Sequence, residues 1–184
     1  MHTAIFLNGT VGVGKSTTAE AIGAALAADG VPHAVIDLDE LRRGWPSPPG
    51  DRFNTAIELA NLRSVAANYV AAGAQVLVLA GVLEEAEMVG EYRDAVGGAS
   101  LTVVRLTLDP AEADRRLRSR HGDDHDGLLA WHLDRFAELD AVIDASGIAG
   151  PVFDTTSVSP AELARLVLDA CSTRQDEGMS GDLG

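Results

Sequence analysis

Apolar and polar positions along the chain fall into alternating short and long blocks. Residues 3–7 (Thr-Ala-Ile-Phe-Leu) are an apolar run of β type that leads into a glycine-rich turn. Residues 16–28 are rich in alanine and predict a helix that stops near Gly30. Residues 33–36 predict a second strand and 38–43 a short helix, closed by the breaker-rich segment Gly44-Trp45-Pro46-Ser47-Pro48-Pro49-Gly50. A long helix follows over 54–72, with Gly73 just past its end, and then a strand of buried type over 75–80. Residues 84–96 predict a helix and 101–106 a strand. Asp109-Pro110 caps and opens a helix that runs to Arg120, with proline at its favoured first position. After a polar loop over 121–127 come a helix (128–145), a short strand (151–154) and a last helix (160–170).

Strands that alternate with helices across short loops call for a three-layer α/β/α architecture with a mostly parallel, five-stranded sheet. No repeat or linker interrupts the pattern. Residues 1–171 therefore predict one domain, with a short helical lid at about 115–128, and 172–184 a flexible polar tail.

Composition narrows the field. The 184 residues are 46% apolar and 23% charged, enough to bury a real core. Fourteen basic against 28 acidic residues give a net charge of −14, which repels nucleic acid and anionic lipid, so neither is expected as a partner. No apolar run is long enough to span a membrane, and the N-terminus lacks the basic region of a signal peptide. The single cysteine, Cys171, excludes an internal disulfide framework and a cysteine-rich zinc module. A cytoplasmic location is the simplest expectation.

One basic residue stands apart: thirteen of the fourteen are arginine, and the only lysine is Lys15. It belongs to Gly9-Thr10-Val11-Gly12-Val13-Gly14-Lys15-Ser16, which fits the phosphate-binding pattern G-x-x-x-x-G-K-S/T between an apolar strand and a helix. Gly9, Gly12 and Gly14 allow the tight turn that points backbone N–H groups, Val13 included, at an anion, and the helix opening at Ser16 and Thr17 adds its positive dipole end. Lys15 is suited to bridge the β- and γ-phosphates of ATP, and the Ser16 hydroxyl to ligate Mg2+. With the strand–helix alternation, this motif gives a P-loop NTPase fold.

The class of nucleotide protein follows by elimination. A guanine-reading N-K-x-D segment needs a second lysine, and the strand at 75–80 ends without the carboxylates of the large mechanical ATPases. Small-molecule kinases remain. These need an acidic group near the acceptor hydroxyl and arginines on the phosphates. Asp37 and Asp39 stand at the end of the second strand, on the edge where open parallel sheets bind ligands. One can serve as general base and the other as a metal or water contact, or either can cap the helix that follows. Glu84 and Glu85, after the strand at 75–80, are a second source of the acidic group.

The stretch Ile36-Asp37-Leu38-Asp39-Glu40-Leu41-Arg42-Arg43-Gly44, followed by Asp51-Arg52-Phe53 and Asn61-Leu62-Arg63, resembles the adenylyl-sulfate kinase family. The layout from Ala4 to about Leu168 is similar to the wider group of nucleoside-monophosphate, gluconate, shikimate and chloramphenicol kinases. By that resemblance Asp39 is the base or acceptor contact, Arg42, Asn61 and Arg63 hold polar or anionic groups of the acceptor, and Phe53 stacks on it. On a helix Asn61 and Arg63 are about 200° apart, so both reach a ligand only if the segment lies beneath it. The lysine-rich lid of adenylyl-sulfate kinases has no counterpart here.

The lid candidate is Arg115-Arg116-Leu117-Arg118-Ser119-Arg120-His121, leading into an acidic, glycine-flanked loop. At i,i+4 spacing Glu112 pairs with Arg116 and Asp114 with Arg118, while Arg115 and Arg120 find no opposite charge. Arg115 and Arg120 are thus left for an anion; by resemblance to related kinases, whose arginine-bearing helix closes over ATP, Arg115, Arg116 and Arg120 are the candidate contacts for ATP, with Arg120 on the transferring phosphoryl group. His132 and Arg135, on the helix after the lid, are weaker candidates, with His132 expected at an interfacial or exposed position; Trp45 and Trp131 either line the acceptor pocket or, as the simpler expectation, pack in the core or a loop. The reading that results is a kinase moving the γ-phosphate of Mg·ATP to a hydroxyl of a small molecule, possible as a homodimer. Its alternatives are an antibiotic- or metabolite-modifying kinase and, from another class, a nucleotide-dependent switch with slow ATPase activity.

Overall fold

A computed structural model of the chain describes residues 2–121 and 128–180. Its five strands are β1 (Thr3–Asn8), β2 (His33–Asp37), β3 (Val76–Gly81), β4 (Ser100–Thr107) and β5 (Val152–Asp154). They form one sheet in the order β2-β3-β1-β4-β5, and every neighbouring pair is parallel. The helices are α1 (Lys15–Ala28), α2 (Leu38–Leu41), α3 (Thr55–Ala71), α4 (Met88–Ala95), α5 (Pro110–His121), α6 (Leu128–Ala145) and α7 (Pro160–Ser180).

The period-two alternation of β1 divides the core. Ile5 and Leu7 face a cluster with Ile22, Leu26, Val104, Leu106 and Val167, while Ala4 and Phe6 face one with Leu62, Leu77, Leu79 and Tyr92. Phe6 is fully buried and meets Tyr92 edge to face at 5.0 Å. Each large side chain buried in these layers contributes about 1.5–3 kcal/mol. The layers fix the sheet's C-terminal edge, where Asn8, Asp37 and Gly81 lie side by side at the ends of β1, β2 and β3.

Three element boundaries differ from the sequence reading by more than one residue. The helix expected over 84–96 begins only at Met88. Asn8 explains the delay, since its side chain donates to Leu83 O and accepts from Leu83 N, both at 2.9 Å, and holds the chain after β3 extended. The helix expected over 38–43 ends at Leu41, where Asn61 Nδ2 donates to the Leu41 carbonyl at 2.7 Å. The stretch from Ser172, read as polar tail, continues α7 to Ser180. Ser172 and Thr173 donate back to the carbonyls of Leu168 and Asp169, a bond that lets hydroxyl side chains sit inside a helix.

Candidate active site

The phosphate loop turns where its glycines allow it. Gly12 and Gly14 have φ of +80° and +98°, in the left-handed region, and Gly14 stands immediately before α1. Gly9 is required for a different reason: a Cβ there would lie 2.8 Å from Leu106 O and 2.9 Å from Val13 Cγ1. The loop is tied to distant elements. Thr10 Oγ1 donates to Phe136 O of α6 at 3.0 Å, and Thr155 Oγ1, just after β5, donates to Val13 O at 2.9 Å. Lys15 Nζ donates to the carbonyls of Gly9 and Thr10 at 2.9 and 3.1 Å, so its charge is held over the cradle.

Ser16 Oγ donates to Asp37 Oδ2 at 2.7 Å, and Asp37 Oδ1 accepts the Asp39 N–H at 3.0 Å, so Asp37 also caps α2. A hydroxyl and a carboxylate side by side at the mouth of a phosphate cradle are the hard oxygen donors that Mg2+ takes when it is shared with a nucleotide. The residues present therefore fit a nucleotide-bound Mg2+. Among the described residues no cluster of three or more His, Cys, Asp or Glu could hold a metal ion by itself.

Cavities flank the loop on both sides. One of about 310 Å³ lies between Thr17, Arg116, Thr155 and Pro160. A second of about 280 Å³ opens from Lys15 and Ser16 toward Asp39, Phe53, Trp131 and Arg135. A third, of about 300 Å³, continues it past Arg42 and Glu84 to Tyr92.

Arg42 makes an ion pair with Glu58 and lies 3.6 Å from Asp39 Oδ1 through Nε. Glu58 is fully buried and accepts from the Tyr92 hydroxyl at 2.5 Å. Burial pushes the Glu58 carboxyl up from its ordinary range, and the Tyr92 bond and the Arg42 charge pull it back only in part. Burial, reinforced by the Glu58 charge, likewise holds the Tyr92 phenol far above its ordinary value. Across the cavity Arg135 bonds Glu84 at 2.6 Å and Glu138 at 2.9 Å, and its guanidinium lies 5.3 Å from the Phe53 ring centre.

The structure thus gathers Gly9, Gly12, Val13, Gly14, Lys15, Ser16, Thr17, Asp37, Asp39, Arg42, Phe53 and Arg116 around the loop and its cavities. Asn61 is instead spent on the Leu41 carbonyl, and Arg63 is exposed on α3 away from the described cavities. Arg115, expected to lack a partner, forms two bonds of 2.7 Å with Glu112. The pair is spaced i,i+3, which the i,i+4 count overlooks. Arg116 bonds the same carboxylate and the carbonyl of Thr155 at 2.7 Å, fastening α5 to the wall of the first cavity. The side chain of Arg120 and residues 122–127, assigned to the lid, lie outside the described residues.

Glu58, Tyr92 and Arg135 are the site residues that the sequence reading passed over or ranked low. A signal for Glu58 existed: with Leu62 and Ala66 it forms an i, i+4, i+8 stripe, and all three are buried. A carboxylate on an apolar stripe implies a buried partner. Trp131 does line the second cavity, whereas Trp45 is almost fully exposed.

A family model described as AAA domain matches residues 5–129. No curated protein sequence matches the chain. Among solved structures, the gluconokinase of Sinorhizobium meliloti 1021 is 20% identical with a TM-score of 0.60, the alignment covering 99% of this chain and 98% of that one. The APS kinase of Mycobacterium tuberculosis, in complex with AMPPNP and APS, is 24% identical with a TM-score of 0.58, over 93% and 98% of the two chains. The tunicamycin resistance protein of Deinococcus radiodurans is 18% identical with a TM-score of 0.62, over 92% and 95%. The fold is that of the P-loop NTPase kinases.

Proposed function

The chain belongs to the AAA domain family, and from that premise we propose that it is a phosphotransferase moving the γ-phosphate of Mg·ATP to a hydroxyl of a small molecule. The observation that carries this reading is that two cavities share Gly12, Gly14 and Thr17 as walls, one opening toward Arg116 and Thr155 and the other past Lys15 and Ser16 toward Asp39, Arg42 and Arg135. A nucleotide and a second small molecule placed in them would meet at the phosphate loop.

The acceptor oxygen attacks the γ-phosphorus as the bond to the β–γ bridging oxygen breaks, and ADP leaves with that electron pair. The acceptor proton goes to Asp39. This assignment follows from the bonding of its neighbour, since both carboxylate oxygens of Asp37 already accept hydrogen bonds while Asp39 is 66% exposed at the cavity. Ser16 Oγ and, through water, Asp37 would hold Mg2+, which supplies neutralisation of the phosphate charge. Lys15 and the backbone N–H groups of the loop hold the phosphates in place during transfer.

The test is ADP formation from Mg·ATP with mass detection of product, across nucleosides and their monophosphates, adenylyl sulfate, sugar acids, shikimate and hydroxylated antibiotics. Lys15→Ala is the control. A phosphorylated product that disappears in the control is expected. Tight nucleotide binding with no acceptor-stimulated turnover on the panel overturns the reading in favour of a nucleotide-dependent switch.

A further inference from the structure

Two guanidinium groups face the acceptor cavities, and both are already bonded by carboxylates of the same chain. Arg42 is paired with the fully buried Glu58 and lies beside Asp39, and Arg135 is held between Glu84 and Glu138. Glu85 adds a further carboxylate to the wall. Among the described residues on the acceptor side, carboxylates therefore outnumber guanidinium groups. Lys15, at the mouth, serves the phosphates.

An arginine arranged to capture an anion presents its fork of N–H groups to the ligand. Here an incoming carboxylate or sulfate would compete with Glu58 and Asp39 for the Arg42 guanidinium, and drawing Arg42 away would leave the fully buried Glu58 without its partner. The bound nucleotide adds its own negative charge next door. The remaining surface includes apolar faces (Phe53, Trp131 and Val82) and His132 beside the acceptor oxygens of Asp39, Glu84 and Glu85. Such a wall suits C–H faces together with hydroxyl or ammonium donors.

We propose that the acceptor is a hydroxylated molecule carrying no negative charge, a neutral polyol or an amine-bearing one, and that Glu58 and Glu84 set this preference by neutralising Arg42 and Arg135. The inference rests on the phosphotransferase reading, and the first arm of its test does not depend on turnover. The protein has two tryptophans: Trp131 on the cavity wall and Trp45, which is 94% exposed. In Trp45→Phe the fluorescence reports the cavity, and in Trp131→Phe it reports the general field of the chain.

At fixed ionic strength, the ratio of quenching by caesium to quenching by iodide is expected to be about threefold higher at Trp131 than at Trp45. Glu84→Gln should lower the ratio at Trp131 and leave that at Trp45 unchanged. Equal ratios, or a preference for iodide at Trp131, overturn the proposal. The second arm compares a sugar alcohol, an amino sugar and a sugar acid as acceptors with Mg·ATP. The acid is expected to have a kcat/KM at least about tenfold below the better of the other two, and the acid as best substrate overturns the proposal. No turnover with any of the three, alongside the expected quenching ratio, counts against the phosphotransferase reading while the charge assignment stands.

Discussion

Ser16 and Asp37, 21 residues apart, share a 2.7 Å hydrogen bond that joins the first turn of α1 to the end of β2. Under the proposed function the bond makes one carboxylate part of the phosphate cradle and leaves the next, Asp39, to the acceptor side. Two acidic residues of the same type thus acquire different tasks from their bonding alone.

Asp37→Asn should separate these tasks. Asparagine caps a helix as well as aspartate does, so α2 and the melting temperature should be unchanged. The lost charge should raise the Mg2+ concentration for half-maximal rate by about 10–100-fold, as for other groups that orient a metal ligand. Rates measured against Mg2+ at saturating ATP check this, and an unaltered Mg2+ dependence would place the metal on other residues.

Tyr92→Phe removes the hydroxyl that donates to the buried Glu58 carboxylate. The expected cost is about 1–3 kcal/mol in urea unfolding. Its pH dependence has a definite sign. Burial raises the Glu58 carboxyl in the folded protein, so the unfolded chain releases that proton first, and stability declines as pH rises from the ordinary carboxylate value through the raised one. Without the Tyr92 bond the carboxyl rises further. The cost of the substitution should therefore be larger at about pH 7 than at about pH 5.

Glu112 behaves oppositely. Its bonds to Arg115 and then Arg116 hold its carboxyl down at about 2. Its contribution is present above the ordinary glutamate value and is lost as pH falls toward about 2. A carboxyl titration followed by NMR should show that low midpoint, and Arg115→Ala should raise it. A midpoint at the ordinary value would mean that the bonds from α5 do not persist in solution.

Gly9→Ala tests the close packing of the phosphate loop against β4. The new methyl would press on the Leu106 carbonyl, which belongs to β4 and cannot move aside without disturbing the sheet. A loss of about 1–3 kcal/mol is expected, with weaker ATP binding in calorimetry. Binding at full strength would show that the cradle tolerates a shift of its first residue.

The five strands, their parallel sense and most helices were legible because each strand carries an apolar run and each connection a turn residue. The phosphate loop was legible because Gly12, Gly14, Lys15 and Ser16 act through backbone and charge at fixed spacing. The acceptor side was harder. Arg42 and Phe53 came only through resemblance, and the meaning of Arg42 changes once Glu58 is seen against it, a partner on another helix. Arg135 looked like one more charge on an amphipathic helix until Glu84 and Phe53 were found beside it. Such pairs depend on how α3, α4 and α6 lie against the sheet, and local spacing does not carry that information.

The bonds that fasten the phosphate loop reach far along the chain: Thr10 to Phe136, and Val13 to Thr155. During synthesis the loop emerges well before the partners that hold its turn, which follow it by 126 and 142 residues along the chain. A nascent chain cannot complete the cradle, and the nucleotide site is finished only when β5 has joined the sheet. Premature termination anywhere before Thr155 would thus leave a strand, a glycine loop and a lysine without the anchor from β5 that completes them.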